Sequence, residues 1–379
     1  MKPRVRYHQM LVSARLGGAE QLAIEIQKFI VASRPGTGEL LVPEGGESEQ
    51  QAIAERLPSR SYRLDRLLAK QRVPSLIANL ELFTKLRNST PGILHIHSPF
   101  VYGALHPLLL VTGLRTILHL HLDYTEEQLR WPLRHAPDIV IVCARFMQER
   151  VANVLAMQRR GRTRIVPIIN AVDTERFTPG DRCRAKEAFG LEPNRQVFLM
   201  AANLAPHKGQ ETAIRAMSIL VKRSHDPLLW LVGEEREGTD AYSAHLRDLV
   251  AALGLSSRVQ FLGFRSDVPQ LLHAADCLLL PSTSEGLPLA ILEAQASRVA
   301  VLAAPTAGIP EVIEHGRTGF LIPADDPEAY ATTLASLMQE PRRAESIAAA
   351  AYAQVVSNFS LRPYCQRILA QYDELLGRI

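Results

Sequence analysis

Only four cysteines occur in the 379 residues, Cys143, Cys183, Cys277 and Cys365, and no two of them form a Cys-x-x-Cys pair. Such a scatter excludes a disulfide framework and a thiolate zinc site, and it suits reduced thiols in a cytoplasmic protein. No apolar run approaches the ~18 residues that a membrane-spanning helix needs. The first residues, Met1-Lys2-Pro3-Arg4-Val5-Arg6, lead straight into a short strand rather than into the apolar centre of a signal peptide. The expected location is therefore cytoplasmic, with peripheral attachment to the inner face of a membrane left open. Aromatic residues make up 6% of the chain and no nucleic-acid motif is present, so nucleic acid is not an expected partner.

Charge is nearly balanced overall, at +4, but unevenly spread. Up to Thr178 there are 24 Lys and Arg against 16 Asp and Glu; after it there are 19 against 23. The basic half suits an anionic acceptor or a membrane surface. Arg56, Arg60, Arg63, Arg66 and Lys70 recur at three- to four-residue spacing among Leu57, Leu64, Leu67 and Leu68. If helical, that stretch is a basic face beside an apolar one, as in helices that lie on anionic membranes; a plainly solvated face is the alternative.

What the chain has in abundance is alternation. Apolar runs such as Ile93–His97, Arg115–His121, Val197–Ala202, Leu228–Val232 and Cys277–Leu280 alternate with amphipathic stretches such as Ala19–Ala32. This predicts an α/β protein built on parallel sheets. The length allows two domains, and Thr178-Pro179-Gly180 marks the expected linker between residues 1–178 and 179–358.

The most informative segment is Ser284-Glu285-Gly286-Leu287-Pro288-Leu289-Ala290-Ile291-Leu292-Glu293-Ala294. It follows an apolar strand, and Pro288 suits the first position of a helix. A helix N-terminus there offers unpaired N–H groups and the positive end of the dipole, a site for an anion. Glu285 lies beside it in the loop, and Glu293 about a turn and a half into a helix that is apolar nearly all round. Complementing the dipole and carrying one more surface charge would be the ordinary uses of these two carboxylates. A buried carboxylate, however, needs a partner. One carboxylate on each side of an anion site could hold the hydroxyls that flank the diphosphate of a nucleotide sugar.

At this point the sequence resembles a known family. The Glu-x7-Glu spacing, Ala303-Ala304-Pro305-Thr306-Ala307-Gly308-Ile309-Pro310-Glu311-Val312-Ile313 and Gly316-Arg317-Thr318-Gly319-Phe320-Leu321-Ile322-Pro323 are similar to the donor-site signature of retaining GT-B glycosyltransferases of family 4. Upstream, Ile168-Ile169-Asn170-Ala171-Val172-Asp173-Thr174-Glu175-Arg176-Phe177 resembles the family's interdomain stretch, and Leu204-Ala205-Pro206-His207-Lys208-Gly209 its phosphate-binding turn. Val259-Gln260-Phe261-Leu262-Gly263 with Asp267-Val268-Pro269 matches the base-binding region, and Gly17-Gly18-Ala19-Glu20 the glycine-rich loop. A lone Glu-x7-Glu is weak; five motifs in the family's order are strong.

The resemblance implies two Rossmann-like doubly wound domains facing a cleft, with a last helix, within residues 359–379, that crosses back to the first domain. It implies an enzyme that moves a sugar from a UDP- or GDP-linked donor to the hydroxyl of a sugar, polysaccharide or lipid-linked acceptor, with retention, in envelope polysaccharide or glycolipid synthesis. No cofactor is implied. Its implied donor site comprises Gly17, Gly18, Asn203, Lys208, Gly263, Phe264, Glu285, Gly286, Leu287, Pro288, Leu289 and Glu293. Glu293 would bind ribose hydroxyls and Glu285 the transferred sugar. Lys208 would stabilise the leaving diphosphate, and His121 would hydrogen-bond the sugar, with a proton-transfer role open.

The pattern departs from the family at two places. Asn203 stands where the family commonly has an arginine, leaving more of the diphosphate charge to Lys208 and the helix ends. Ser297-Arg298-Val299-Ala300 replaces the usual glycine and proline. His95, His97, His119 and His121 form two His-x-His pairs on strands, each pair on one face. No Asp-x-Asp, the divalent-binding pattern of many sugar transferases, occurs, and no metal is expected. The rival readings are a GT-B epimerase or phosphorylase, and a nucleotide-sugar-binding module without catalysis.

Overall fold

Short apolar runs of the chain pair as parallel strands buried on both faces, the arrangement such near-continuous runs require. The computed structural model describes residues 7–63, 76–86, 91–158, 162–235 and 240–377. They divide into two compact units, Met1–Asn170 with Leu361–Ile379, and Ala171–Ser360.

In the first unit, seven strands, β1 (Tyr7–Met10), β2 (Gly38–Pro43), β3 (Ser59–Tyr62), β4 (Ile93–Ile96), β5 (Arg115–Leu120), β6 (Ile139–Val142) and β7 (Arg164–Pro167), lie in the order β3-β2-β1-β4-β5-β6-β7. All pairings are parallel. The helix Leu361–Gly377 buries Tyr364, Cys365, Ile368, Leu369, Tyr372 and Leu375 in this unit. That spacing is one face of a 3.6-residue period. Arg34 fixes the helix with two hydrogen bonds to Asp373, each 2.6 Å.

In the second unit, β8 (Val197–Ala201), β9 (Leu228–Val232), β10 (Val259–Gly263), β11 (Cys277–Leu280), β12 (Ala300–Ala303) and β13 (Phe320–Leu321) lie in the order β10-β9-β8-β11-β12-β13. Phe198, Met217, Leu229, Leu279, Leu302 and Tyr330 belong to its core. Lys186, with a side chain only 2% exposed, lies 2.8 Å from Asp276, which also accepts from the backbone N–H of Val197. This pair ties the helix Arg182–Ala188 to the strand starts; removing one partner of such a buried pair costs about 3–5 kcal/mol. Val172 donates its N–H to the carbonyl of Phe359 at 2.9 Å, so residues 171–178 are held within this unit and the spatial division falls ahead of Thr178.

Both sheets reverse strand order next to their first strand, between β1 and β4 and between β8 and β11. In open α/β sheets, ligands bind outside the carboxyl ends of the strands at that reversal.

The basic stretch differs from its helical reading. Arg56 is in a left-handed turn with φ 54°, and Ser59–Tyr62 is an edge strand paired with β2. Pro58 cannot continue a helix, and the four residues that follow are too few to show a strand period. Arg60 lies 2.7 Å from Glu39 and Arg63 3.1 Å from Glu44. Arg66 and Lys70 lie outside the described residues. Among the described residues, no helix is long and apolar enough to cross a membrane.

Candidate functional site

At the reversal point of the second unit, two turns meet. After β8 the chain makes a short 3-10 turn, Pro206–Lys208, and Gly209 then opens the helix Gln210–Lys222 with φ 76°. A Cβ on Gly209 would sit 2.0 Å from the carbonyl oxygen of Pro281, so both the left-handed backbone and the close approach require glycine. The loop after β11 is stitched to this turn. Thr283 donates its N–H to the His207 carbonyl at 2.9 Å, and Thr306 Oγ1 donates to the Ser282 carbonyl at 2.8 Å. These bonds bring Lys208 Nζ to 2.8 Å from Glu285 Oε1, with both side chains mostly buried.

The helix that follows runs Leu289–Ala296, with Pro288 as its N-cap, one residue earlier than the first helical position expected for it. Its turns are buried except along Leu289, Ala290 and Glu293, which are half-buried, so Glu293 lies at the edge of the core with its carboxyl largely shielded from water. Burial pushes the Glu293 carboxyl up to about 7, and the charge of Arg176 partly offsets that. Gln295 on the inner side donates to the carbonyls of Val312 and Thr318, each at 3.2 Å, and so holds the segment that carries Gly308 and Gly319 against this helix. Gly308 in turn donates its N–H to the Gly286 carbonyl at 2.9 Å, and Leu287 is buried beside it. Asn203 offers its carbonyl to Gln210 Nε2 at 2.9 Å. Gly263 closes β10 at φ 64°, and Phe264 beyond it is 58% exposed, unusual for a large apolar side chain.

The first unit has its own polar cluster at the corresponding place. Gly17 and Gly18 are exposed after β1, and Gly17 N–H donates to Glu20 Oε2 at 3.2 Å across the start of the helix Gly18–Ser33. His97 and His121 each follow directly on a strand, β4 and β5. The two His-x-His pairs share one face, with ring centroids 4.4 Å apart for His95 and His97 and 4.0 Å for His119 and His121. His97 Nδ1 lies 2.8 Å from His121 Nε2, and His97 Nε2 lies 2.8 Å from Gln9 Oε1. Burial holds His95 and His121 down at about 3 and keeps His97 and His119 well below the ordinary imidazole value. All four rings are therefore neutral at physiological pH. Asp123, next but one to His121, pairs with Arg150 instead of with the histidines. Among the described residues, His95, His97 and His119 are the one group whose potential metal-ligating atoms lie within 4.8 Å of one another.

A family model described as Glycosyltransferase Family 4 matches residues 16–176, and one described as Glycosyl transferases group 1 matches residues 181–354. The chain belongs to the group 1 glycosyltransferases. Among curated relatives, a lipopolysaccharide core biosynthesis mannosyltransferase, LpsB of Rhizobium meliloti, is 29% identical over 240 residues, covering 62% of this chain and 68% of that protein. A D-inositol 3-phosphate glycosyltransferase of Rhodococcus jostii is 32% identical over 55% of this chain and 47% of its own length. The match thus spans about half of such relatives. Anabaena HepE, solved in complex with UDP-glucose, superposes with a TM-score of 0.83 at 22% identity, covering 98% of this chain and 99% of that one. A glycosyltransferase from Rickettsia africae gives 0.80 at 22%, covering 98% and 99%. These likenesses show the GT-B fold, two parallel-sheet Rossmann-like domains.

Within this family the second unit brings Lys208, Glu285, Gly286, Leu287, Pro288, Leu289 and Glu293 together around one helix start. Arg298, where glycine is usual in the family, is exposed at φ 55° and donates its N–H to the Gln295 carbonyl at 3.1 Å. Its left-handed backbone explains a preference for glycine there. Three buried polar residues escaped the sequence reading: Gln9, Gln295 and Tyr372. Gln295 is two residues from Glu293 in a strongly apolar helix, a signal that could have marked it. Gln9 and Tyr372 gain their roles only by meeting the histidines in space.

Proposed function

We propose that this chain transfers a sugar from a UDP- or GDP-linked donor to an acceptor hydroxyl, with retention and without a metal ion, in envelope polysaccharide or glycolipid assembly at the cytoplasmic face of a membrane. The observation that carries the reading is the Lys208–Glu285 pair at the strand-order reversal of the second unit, beside a helix start and within one helix of Glu293. A cation there can take the charge of a diphosphate, and a carboxylate beside it can hold sugar hydroxyls. The names of the mannosyl and inositol-phosphate relatives, and UDP-glucose in the HepE complex, support a nucleotide-sugar donor.

In the reaction, the bond from the anomeric carbon to the diphosphate oxygen breaks and the acceptor oxygen takes that carbon. The hydroxyl proton leaves with the diphosphate. Charge grows on the departing diphosphate, so a fixed cation and helix N–H groups beside it lower the barrier. Lys208 fills that role, with Asn203 as a neutral donor. Glu285 holds the transferred sugar and Glu293 the ribose. Gly17 and Gly18 allow the backbone near the diphosphate, and Gly263 and Phe264 border the base. His121 hydrogen-bonds the transferred sugar.

The test is His121→Ala. A group that touches only the sugar matters little to free nucleotide, so turnover should drop by on the order of 100-fold while nucleoside diphosphate affinity is preserved. Normal turnover in that variant, or no transfer by the wild type from any UDP- or GDP-sugar, would overturn the assignment.

A further inference from the structure

The glycine-rich loop that leads from β1 into the helix Gly18–Ser33 is held from outside itself. Within the loop, Ser13 Oγ accepts the Arg15 N–H at 3.1 Å, and Glu20 Oε2 accepts that of Gly17 at 3.2 Å. Further bonds come from the start of a different helix, Glu47–Ala54, which follows β2. Glu47 Oε2 accepts the Leu16 N–H at 2.9 Å. Ser48, fully buried, donates its hydroxyl to the Ser13 carbonyl at 2.9 Å and its N–H to the Ala14 carbonyl at 3.2 Å. Gly46, the N-cap, permits this contact, because a Cβ there would sit 2.4 Å from the Ala14 carbonyl oxygen. Its φ of −98° suits any residue, so space alone demands glycine. A carboxylate in the first turn of a helix ordinarily complements the dipole. Glu47 is half-buried instead, with one oxygen on a backbone N–H 31 positions earlier in the chain.

Glycine at 17 and 18 lets the backbone approach a ligand closely, and it also loses more freedom on being ordered than any other residue. Such a loop binds well when the fold has removed that freedom before the ligand arrives. We propose that Glu47 and Ser48 are positioning residues: through the Leu16 N–H and the Ser13 and Ala14 carbonyls, they hold the loop in the shape that receives the donor diphosphate. This rests on the reading that Gly17 and Gly18 border that diphosphate. The clamp also selects which donors remain on offer. The N–H groups of Leu16 and Gly17 are taken by the carboxylates of Glu47 and Glu20. An anion is then left those of the first helical turn, from Gly18 on, for which a helix has no carbonyl of its own.

Calorimetry of the full chain with free UDP and free GDP tests the clamp. Glu47→Ala should weaken whichever nucleotide the wild type binds by roughly 10-fold, raise the donor KM in step and leave the acceptor KM unchanged. Glu47→Gln keeps an oxygen for the Leu16 N–H and should recover most of that affinity. A Gln variant as weak as the Ala variant would mean that only the charge of Glu47 on its helix matters, and would overturn the positioning role. Unchanged nucleotide affinity in Glu47→Ala, or a loss confined to the acceptor KM, would overturn it too. Hydrogen exchange in the ligand-free wild type reads the clamp without any variant. The Leu16 amide should exchange slowly, and rapid exchange there rejects the proposal even if a variant fails to fold. A wild type that binds neither UDP nor GDP would instead sink the donor reading, and the proposal with it.

Discussion

Lys208 Nζ and Glu285 Oε1 lie 2.8 Å apart although 77 positions separate them in the chain. The pairing needs the carboxyl ends of β8 and β11 to be neighbours, which the sheet order supplies. In this pair the Glu285 side chain is 5% exposed and that of Lys208 18%.

Because Glu285 is the more buried partner, losing its cation should hurt more than losing the carboxylate's charge. Lys208→Met should lower stability by about 3 kcal/mol, and Glu285→Gln by less. The double variant should cost less than the two single losses combined, the mark of coupled neighbours. Urea unfolding of the four proteins measures this, and strict additivity would refute the coupling.

Glu293 supplies a pH signature. Its carboxyl is raised to about 7, so it is largely protonated below that value and ionised above. Ribose hydroxyls donate best to the ionised form. Nucleotide affinity should therefore rise as pH increases through about 7, and Glu293→Gln should flatten that rise. Calorimetry from pH 6 to 8 with the free nucleoside diphosphate is the check; an equal slope in wild type and variant removes Glu293 from the ribose contact.

The histidine cluster should make the first unit sensitive to acid. Each ring has a folded-state value far below its unfolded value of about 6.5, so below that pH the unfolded chain binds more protons than the folded one. Stability is then retained above about 6.5 and lost as pH falls toward 3, by up to about 1.4 kcal/mol per pH unit for each such histidine. His119, with neither ring nitrogen hydrogen-bonded among the described residues, is the cleanest probe. Replacing it as His119→Leu should reduce the slope of stability against pH between 6 and 4. Denaturant midpoints across that range would show an unaltered slope if the burial of His119 were irrelevant to it.

Transfer should continue in excess EDTA, since Lys208 and helix N–H groups are assigned the charge that a divalent ion handles elsewhere. Abolished turnover that returns with manganese or magnesium would reverse that assignment.

Much of the second unit was legible from residue order alone. A strand, a glycine-containing loop and an apolar helix interrupted by Glu293 are consecutive in the chain, and local rules for strand period and helix starts suffice to place them. The same rules placed His95 with His97 and His119 with His121 on shared faces, because alternation along a strand has a fixed period of two. Ser59–Tyr62 escaped those rules: four residues after a proline carry too little periodicity, and only pairing with β2 makes them a strand. Phe320–Leu321, two residues long, is a strand solely because β12 lies beside it.

The sequence by itself determined the α/β class, the family and the residue types that can hold an anion and hydroxyls, because these depend on neighbours a few positions apart. The tertiary structure alone decided which of them meet. Gln9, His97, His121 and Tyr372 come from two strand ends, a first strand and the terminal helix, and no local pattern relates them. Burial, which depends on everything packed around a residue, set the protonation of Glu293 and of the four histidines.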